Sequence, residues 1–234
     1  MLKFIGKGSA FNTKLGNTSA YIKKEKSIIL IDCGGTVFHD LKTKGVLENC
    51  ETLHIIITHT HPDHVGSLGD LIFYSHYIKG IKPKIYFPHK KTIEDMLSYV
   101  GVSKEFYDVE SRYVNWIKDK EFGNVDLEFS NNKHVVEIPS YGFLIKINGE
   151  KYYYSGDTNE INPEAIKLLE RNKKAIVYHE VSSLDIEKSP HTNIKSLEEA
   201  FKKEVRDRVY LMHLDEGINE DDLKSKGFKI VEIE

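Results

Sequence analysis

Three histidines and one aspartate stand within six residues, in the run His59-Thr60-His61-Pro62-Asp63-His64. An apolar segment with the pattern of a buried strand comes directly before the run. Imidazole and carboxylate groups are ligands that suit zinc, manganese or iron. His59 and His61 alternate by two and can point the same way from an extended segment, whereas Asp63 and His64 follow a proline turn and can serve a second ion. Since neighbouring imidazoles at a strand end bring no folding advantage, the run indicates a metal site rather than a polar turn.

The histidine run resembles the HxHxDH signature of the metallo-β-lactamase superfamily, and other segments resemble the remaining motifs of that family. Asp32-Cys33-Gly34 resembles the end of the strand that carries the Asp-x-Gly motif. His134 resembles the third metal-binding histidine in the form found in the RNase Z branch. Ser155-Gly156-Asp157-Thr158 resembles the fourth motif, and Met212-His213-Leu214 resembles the segment of the last histidine. The resemblance therefore runs from one end of the chain to the other.

This resemblance implies two divalent metal ions, with Zn²⁺ as the first expectation and Mn²⁺ as the alternative. The first ion would be bound by His59, His61 and His134. The second would be bound by Asp63, His64 and His213, and Asp157 would bridge the two ions. Each ion would keep an open position, as catalytic sites require. Asp32 is expected to orient a ligand histidine from behind.

Two divalent ions would activate water near neutral pH and polarise a phosphoryl or carbonyl oxygen, so hydrolysis is the expected reaction. Asp63 is also a candidate catalytic residue that would orient the attacking oxygen. The pairs His179-Glu180 and His191-Thr192 resemble two further segments of RNase Z-like enzymes. This predicts that His179 and His191 contact phosphate oxygens or donate a proton to the leaving group. Val181 and Ser182 stand where that motif would have Ala-Thr, and an ordinary loop histidine is the alternative for both.

The interval between the third and fourth motifs favours a small phosphodiester as the substrate. RNase Z enzymes generally carry a long basic arm there, whereas His134 and Asp157 lie 23 positions apart in this chain. The chain is most similar to the anti-Pycsar cyclic-nucleotide phosphodiesterases of phages and bacteria, and Lys3–Asn12 and Gly16–Ala20 contribute to that similarity. The similarity implies a homodimer that hydrolyses 3′,5′-cyclic CMP, UMP, AMP and GMP to monophosphates and counters antiviral cyclic-nucleotide signalling.

Two other functions remain open at this point. One is RNase Z-like processing of tRNA 3′ ends, and the other is a protein that sequesters a nucleotide without cutting it. For the base of a nucleotide, Tyr107, Tyr113 and Trp116 are candidate stacking partners in the stretch Glu105–Phe122, which lacks periodicity and could form a lid or a dimer contact. Packing of these aromatic residues in the core is the alternative.

Composition limits the partners and the compartment. A net charge of −3 argues against an extended nucleic acid, whose phosphates require a basic surface. Two cysteines are too few for a disulfide framework and fit a reducing compartment. We find neither a signal-peptide pattern at the start nor an apolar stretch near the roughly 20 residues of a membrane span. We therefore expect a cytoplasmic protein without a membrane partner, located in the host cytoplasm if a phage encodes it.

Short strands and helices alternate through both halves of the chain, which predicts one α/β domain over residues 1–234, a four-layer αββα metallo-β-lactamase sandwich. The apolar segments His54–Ile57, Ala175–Tyr178 and Arg208–Met212 are predicted strands that would position the ligands. Val135–Ile138 is predicted as a strand that starts beside His134. Pro163–Glu170 is predicted as a helix with Asn162 as its N-cap.

Overall fold

Two β-sheets lie face to face around the main core in the computed structural model, which describes residues 1–186 and 188–234. The first sheet contains β1 (Lys3–Gly6), β2 (Ser19–Lys24), β3 (Ser27–Ile31), β4 (Thr52–Ile56), β5 (Lys84–Tyr86) and β6 (Asp108–Glu110). These strands lie side by side in chain order. The pairs from β3 to β6 are parallel, so the carboxyl ends of these four strands lie at the same edge.

The second sheet contains the other seven strands, again as neighbours in chain order. They are β7 (Val114–Asp119), β8 (Gly123–Asn131), β9 (Tyr141–Ile147), β10 (Glu150–Tyr154), β11 (Ile176–Glu180), β12 (Val209–Met212) and β13 (Lys229–Ile230). β7 to β10 form an antiparallel meander, and β10 to β13 are parallel. The carboxyl ends of β10, β11 and β12 therefore also share one edge.

Helices flank the two sheets. The first half contributes α1 (Val37–Thr43), α2 (Pro62–Val65), α3 (Leu68–Tyr74) and α4 (Lys90–Tyr99), and the second half contributes α5 (Pro163–Arg171), α6 (Ile194–Ala200) and α7 (Glu220–Ser225). The side chain of Asn162 accepts a hydrogen bond from the backbone N–H of Glu164, which confirms the predicted N-cap. The predicted four-layer αββα sandwich is also confirmed. Among the described residues, no helix has both the length and the apolar character to cross a membrane.

The two faces of β11 show why its first three residues, Ile176 to Tyr178, are all apolar or aromatic. Tyr178 faces the first sheet, because its ring contacts that of Phe4 at a centroid distance of 5.4 Å. Val177 and Val181 face the other way and pack with Leu197 of α6. A strand that is covered on both faces needs apolar residues at consecutive positions, as β3 and β4 also show. Successive side chains of β11 therefore belong to two different cores.

The predicted strand Val135–Ile138 is wrong. Residues 132–140 form an irregular loop, closed at its base by a hydrogen bond of 2.9 Å from the N–H of Asn132 to the carbonyl of Ser140. Val136 is 98% exposed, so its apolar side chain is almost free of contacts with the residues that the structure describes. The loop brings His134 to the histidine run. A strand paired within the sheet would hold His134 away from that run.

The stretch Glu105–Phe122, predicted to be irregular, contains the regular strands β6 and β7. The burial of β7 alternates, but Trp116 lies on its exposed side and Asn115 on its buried side. The amide of Asn115 compensates for burial by donating a hydrogen bond to the carbonyl of Arg112. A polar residue points inward and an aromatic residue points outward. The sequence of β7 therefore lacks the alternation of apolar and polar residues by which a strand is recognised.

Candidate active site

The predicted ligands lie in loops that leave the carboxyl ends of strands from both sheets. β4 leads to the histidine run, β10 leads to Asp157, and β12 leads to His213. Asp32 follows β3, and both Asp32 and His213 have a left-handed backbone, with φ values of 58° and 56°. This conformation costs a residue other than glycine roughly 1–3 kcal/mol, so surrounding contacts must hold the two residues in place. Both are buried, at 0% and 3% exposure.

The first cluster contains His59, His61 and His134, which the sequence assigned to one ion. Nδ1 of His61 lies 3.1 Å from Nε2 of His59 and 3.2 Å from Nε2 of His134. Tetrahedral zinc with bonds of about 2.0–2.1 Å would separate its ligand atoms by about 3.3 Å. Nδ1 of His134 donates a hydrogen bond to the carbonyl of Pro190 at 3.0 Å, which leaves Nε2 free for the cluster.

The second cluster contains Asp63, His64, Asp157 and His213. Oδ2 of Asp63 lies 3.3 Å from Nε2 of His64 and 3.3 Å from Nε2 of His213. Oδ1 of Asp157 lies 3.5 Å from Nε2 of His64. These separations match the spacing of ligand atoms around one small cation.

Asp157 lies between the two clusters. Its Oδ2 is 3.7 Å from Nε2 of His59, in the first cluster, and 3.4 Å from Nε2 of His213, in the second. Burial alone would raise the pKa of Asp157, but the charges of His213 and the neighbouring histidines hold that pKa well below its usual range. An ionised carboxylate in this position can face both clusters at once. The structure thus brings together all seven residues that the resemblance assigned as metal ligands.

The donor set fits divalent cations. Nε2 of His64 is buried and has no hydrogen-bond partner among the described residues. The carboxylates of Asp32, Asp63, Asp157 and Glu180 are at most 9% exposed. Within residues 1–186 and 188–234, none of them pairs with a lysine or an arginine. Buried carboxylates require a nearby positive charge, and a divalent cation between these atoms would supply it and would use the free nitrogen.

Asp32 supports the second cluster from behind. Its Oδ2 accepts hydrogen bonds from Nδ1 of His64 and from the hydroxyl of Thr58, both at 2.8 Å, and Oδ1 accepts one from the N–H of Thr58. The motif also requires Gly34, because a Cβ at this position would lie 1.9 Å from the carbonyl oxygen of Asp63. Asp32 and Gly34 thus place the backbone and the imidazole of the second cluster.

Glu180 and His191 form a pair beside the second cluster. Nδ1 of His191 donates a hydrogen bond of 2.7 Å to Oε2 of Glu180, whose other oxygen accepts the N–H of Thr158. Burial lowers the pKa of His191, but the hydrogen bond to Glu180 and the charge of Glu180 outweigh burial and raise it to about 9. Nδ1 of His191 also lies 3.9 Å from Oδ2 of Asp157. His191 therefore stands beside the clusters as a protonated imidazole, which can donate a proton or a hydrogen bond.

His179 does not reach this site. It lies on the same face of β11 as Val177 and Val181, with its ring centroid 6.2 Å from that of Phe201 in the outer helix layer. Its Nδ1 donates a hydrogen bond of 2.8 Å to the carbonyl of Glu180, and burial lowers its pKa to about 4. The sequence-based interpretation overlooked Glu180 as a site residue. The alternation of side chains along a strand would have separated Glu180 from His179.

A cavity of about 600 Å³ opens onto the clusters, and we call it the site pocket. Its floor contains His61, Asp63, Asp157, His191 and His213. Its walls and rim contain residues that the sequence analysis did not assign to the site, namely Ser9, Ala10, Phe11, Asn17, Gly35, Pro62, Ser182, Leu184 and Asp215. Polar groups thus lie around the candidate ligands, and apolar side chains lie at the mouth.

The aromatic residues proposed for base stacking lie elsewhere. Tyr107 is 3% exposed and belongs to the core, as the alternative interpretation held. Trp116 is 68% exposed on β7, and Tyr113 is 44% exposed, with its hydroxyl 3.2 Å from Oδ1 of Asn131. None of the three lines the site pocket.

Comparisons with known proteins give matches that extend over nearly the whole chain. The model of the family described as Anti-Pycsar protein Apyc1 matches residues 1–233. The chain is similar to the Anti-Pycsar protein Apyc1 of Paenibacillus harenae, with 25% identity over 240 residues, 99% of this chain and 96% of that relative. It is also similar to the Anti-Pycsar protein Apyc1 of Bacillus phage BSP38, with 27% identity over 244 residues, 96% of this chain and 92% of the relative.

A solved structure supports the same fold. The metallo-β-lactamase fold protein YhfI from Bacillus subtilis aligns with a TM-score of 0.75 and 17% sequence identity. The alignment covers 100% of this chain and 95% of that protein. The two sheets and flanking helices described above are therefore those of a metallo-β-lactamase fold.

Proposed function

The chain belongs to the family of Anti-Pycsar protein Apyc1, and from this premise we propose that it hydrolyses 3′,5′-cyclic nucleotides to nucleoside monophosphates. The substrates would be cyclic CMP and cyclic UMP, together with cyclic AMP and cyclic GMP. The consequence would be the removal of a cyclic-nucleotide signal that acts against viruses. The central support is the position of Asp157 between two clusters of ligand atoms at the floor of the site pocket.

Metal ions bound at the two clusters would supply an activated water and a positive charge beside the phosphoryl group. We infer Zn²⁺, because imidazole and carboxylate groups at these spacings suit it, with Mn²⁺ as the alternative. His59, His61 and His134 would hold one ion, and Asp63, His64 and His213 would hold the other, with Asp157 shared. Burial lowers the pKa of His59 well below its usual range, which keeps this imidazole in the neutral form that binds metal.

One candidate ligand and one neighbouring residue would assist the reaction at phosphorus. Asp63 would orient the attacking oxygen, which forms the new bond to phosphorus. As the bond from phosphorus to the ribose 3′-oxygen breaks, His191 would donate a proton to that oxygen, because alkoxides are poor leaving groups. Glu180 holds Nδ1 of His191, so Nε2 is the nitrogen that remains for the substrate. The single product is a nucleoside 5′-monophosphate, which carries the free 3′-hydroxyl.

The dimensions of the site favour a small substrate over tRNA. A cavity of about 600 Å³ lies within the range of pockets that bind small molecules, roughly 300–1,000 Å³. Between the third and fourth motifs, β9 and β10 are joined only by the turn at Asn148 and Gly149. There is thus no long basic arm in this interval that would grip a tRNA, and the net charge of −3 points the same way.

Three further properties belong to this proposal. We expect a homodimer, which sedimentation analysis would detect. We expect action in the cytoplasm, or in the host cytoplasm when a phage encodes the protein. We also expect catalysis rather than sequestration, because seven ligand residues and the His191–Glu180 pair are all in place.

The experiment is a substrate panel with purified protein and added Zn²⁺ or Mn²⁺. Cyclic CMP, UMP, AMP and GMP and a precursor tRNA would be compared, with His64→Ala as the matched inactive variant. Multiple turnovers of the cyclic nucleotides that depend on metal and on His64 would support the proposal. Cleavage of the tRNA alone would favour RNA processing, and tight binding without product would favour sequestration.

A further inference from the structure

A phenylalanine stands at the rim of the site pocket on a turn that is held tightly to the metal-binding edge. The N–H of Ser9 and Nδ2 of Asn12 both donate hydrogen bonds of 3.0 Å to the carbonyl of Leu214, the residue after His213. The N–H of Asn12 also donates to the carbonyl of Ser9. These contacts fix the turn on which Phe11 lies relative to the second cluster.

The side chain of Phe11 is exposed although the turn beneath it is ordered by hydrogen bonds. Phe11 is 88% exposed and lines the site pocket, and Leu184, which is 52% exposed, lines the same pocket. Single exposed apolar residues are common on protein surfaces, but two of them at the mouth of a polar cavity form an apolar rim. Such a rim suits a ligand with one charged end and one flat apolar end.

A cyclic nucleotide is such a ligand, with a charged end and a flat apolar end. Its phosphate would lie over the two clusters, where bound metal ions would supply positive charge, and its base has two apolar faces that stack on aromatic rings. Tyr107, Tyr113 and Trp116, which the sequence offered as candidates for stacking on the base, all lie outside the pocket. Among the residues that line the site pocket, Phe11 is the one aromatic ring of Phe, Tyr or Trp type.

We propose that Phe11 is a specificity-determining residue that stacks on the nucleobase while the phosphate lies over the metal ligands. This inference rests on the proposed function, since it assigns the base of the same substrate. A rigid aromatic ring loses little conformational entropy on binding. Stacking accepts every base, because every base has a π-face, and it favours purines because their rings overlap more. The site therefore hydrolyses all four cyclic nucleotides and loses most on purines when the ring is removed.

The test compares kcat/KM for cyclic AMP, cyclic CMP and ribose 3′,5′-cyclic phosphate, which has no base, in wild type and Phe11→Ala. We expect kcat/KM to fall about 5- to 150-fold for cyclic AMP, mainly through KM, and less for cyclic CMP. The value for the substrate without a base stays unchanged. The Phe11→Trp variant, which keeps an aromatic ring, retains the preference for purines that Phe11→Ala loses. Tyr99→Ala, which removes an aromatic side chain that is 90% exposed and lies outside the pocket, is the control and changes none of the three values.

Equal values for wild type and Phe11→Ala on cyclic AMP would overturn the inference. So would an equal loss on the substrate without a base, since that would show damage to the metal site. A changed sedimentation coefficient with unchanged base preference would assign Phe11 to a subunit contact and would also overturn it.

A second measurement separates this inference from the proposed function. If the wild type cuts no cyclic nucleotide, the proposed function fails, but calorimetry still compares the binding of AMP and ribose 5-phosphate to the Zn²⁺-loaded protein. A wild-type preference for AMP that disappears in Phe11→Ala supports base stacking. No preference, or a preference that survives the substitution, contradicts it.

Discussion

The carboxylate of Asp32 accepts the Nδ1–H of His64 at 2.8 Å, and this contact determines which nitrogen of His64 faces the candidate metal centre. Nε2 has no hydrogen-bond partner among the described residues and points toward Asp63 and Asp157. A carboxylate behind a ligand histidine fixes its tautomer and increases its basicity. Asp32 is therefore a positioning residue for the second cluster.

The substitution Asp32→Asn should weaken Zn²⁺ binding about 10- to 100-fold, because the amide cannot accept all three hydrogen bonds. Competition with a chelating dye measures this affinity. The matched control is Asp119→Asn, which alters a similar contact outside the site, where Oδ2 of Asp119 lies 3.3 Å from Nε2 of His54. Equal Zn²⁺ affinities in wild type and Asp32→Asn would refute the positioning role.

Two adjacent glycines should respond differently to alanine. A Cβ on Gly34 would lie 1.9 Å from the backbone oxygen of Asp63, whereas a Cβ on Gly35 would meet Oδ1 of Asn17 at an ordinary 3.5 Å. Gly34→Ala should therefore lower the free energy of unfolding by about 1–3 kcal/mol or more and disturb the second cluster. Gly35→Ala should remain close to wild type. Urea denaturation and Zn²⁺ binding measure both effects, and similar behaviour of the two variants would contradict the account.

The residues of the two clusters could be predicted from the sequence because they follow a fixed order of short motifs at strand ends. His59, His61 and Asp157 lie where that order places them, and the structure gives the distances between their ligand atoms. The role of Glu180 could not be assigned in the same way, because the choice between Glu180 and His179 depends on which face of β11 each occupies. That face is set by packing against the helix layer, which the motif does not contain.

His191 should act as a proton donor whose pKa depends on Glu180. His191→Asn should lower kcat on a cyclic nucleotide about 10²- to 10⁴-fold, but much less on a p-nitrophenyl phosphodiester, whose leaving group needs no proton. A donor loses activity as pH rises through its pKa, which is about 9 here. Glu180→Gln removes the charge that raises this pKa, so the alkaline limb of the kcat profile should move to lower pH. An unmoved limb in Glu180→Gln would contradict the pairing.

His179 should affect stability rather than catalysis. Its pKa is about 4 in the folded protein and near 6.5 in an unfolded chain, so the unfolded state binds a proton first as pH falls. As the pH falls, His179 therefore lowers the free energy of unfolding, by about 2 kcal/mol between pH 7.5 and pH 5. His179→Gln should keep kcat and should lose less stability than wild type over that interval. A large loss of kcat would instead restore His179 to the catalytic residues.

The loop of His134 and the rim of the site pocket mark the limit of inference from the sequence. Val135 to Ile138 has the composition of a strand, yet no strand within residues 1–186 and 188–234 pairs with it, because His134 must reach His61. Phe11 and Trp116 are both aromatic and both exposed, but only Phe11 lies at the pocket. Contacts between distant parts of the chain decide such cases, and no local pattern reports them.

The most direct test of the central claim is a metal titration of the stripped enzyme. Chelator-treated protein would receive Zn²⁺ in steps while multiple-turnover hydrolysis of cyclic CMP is measured. If two ions share Asp157, activity should rise to a plateau at two equivalents of Zn²⁺ per chain and should be lost in Asp157→Asn. No hydrolysis at any metal ratio, or full activity without added metal, would contradict the account.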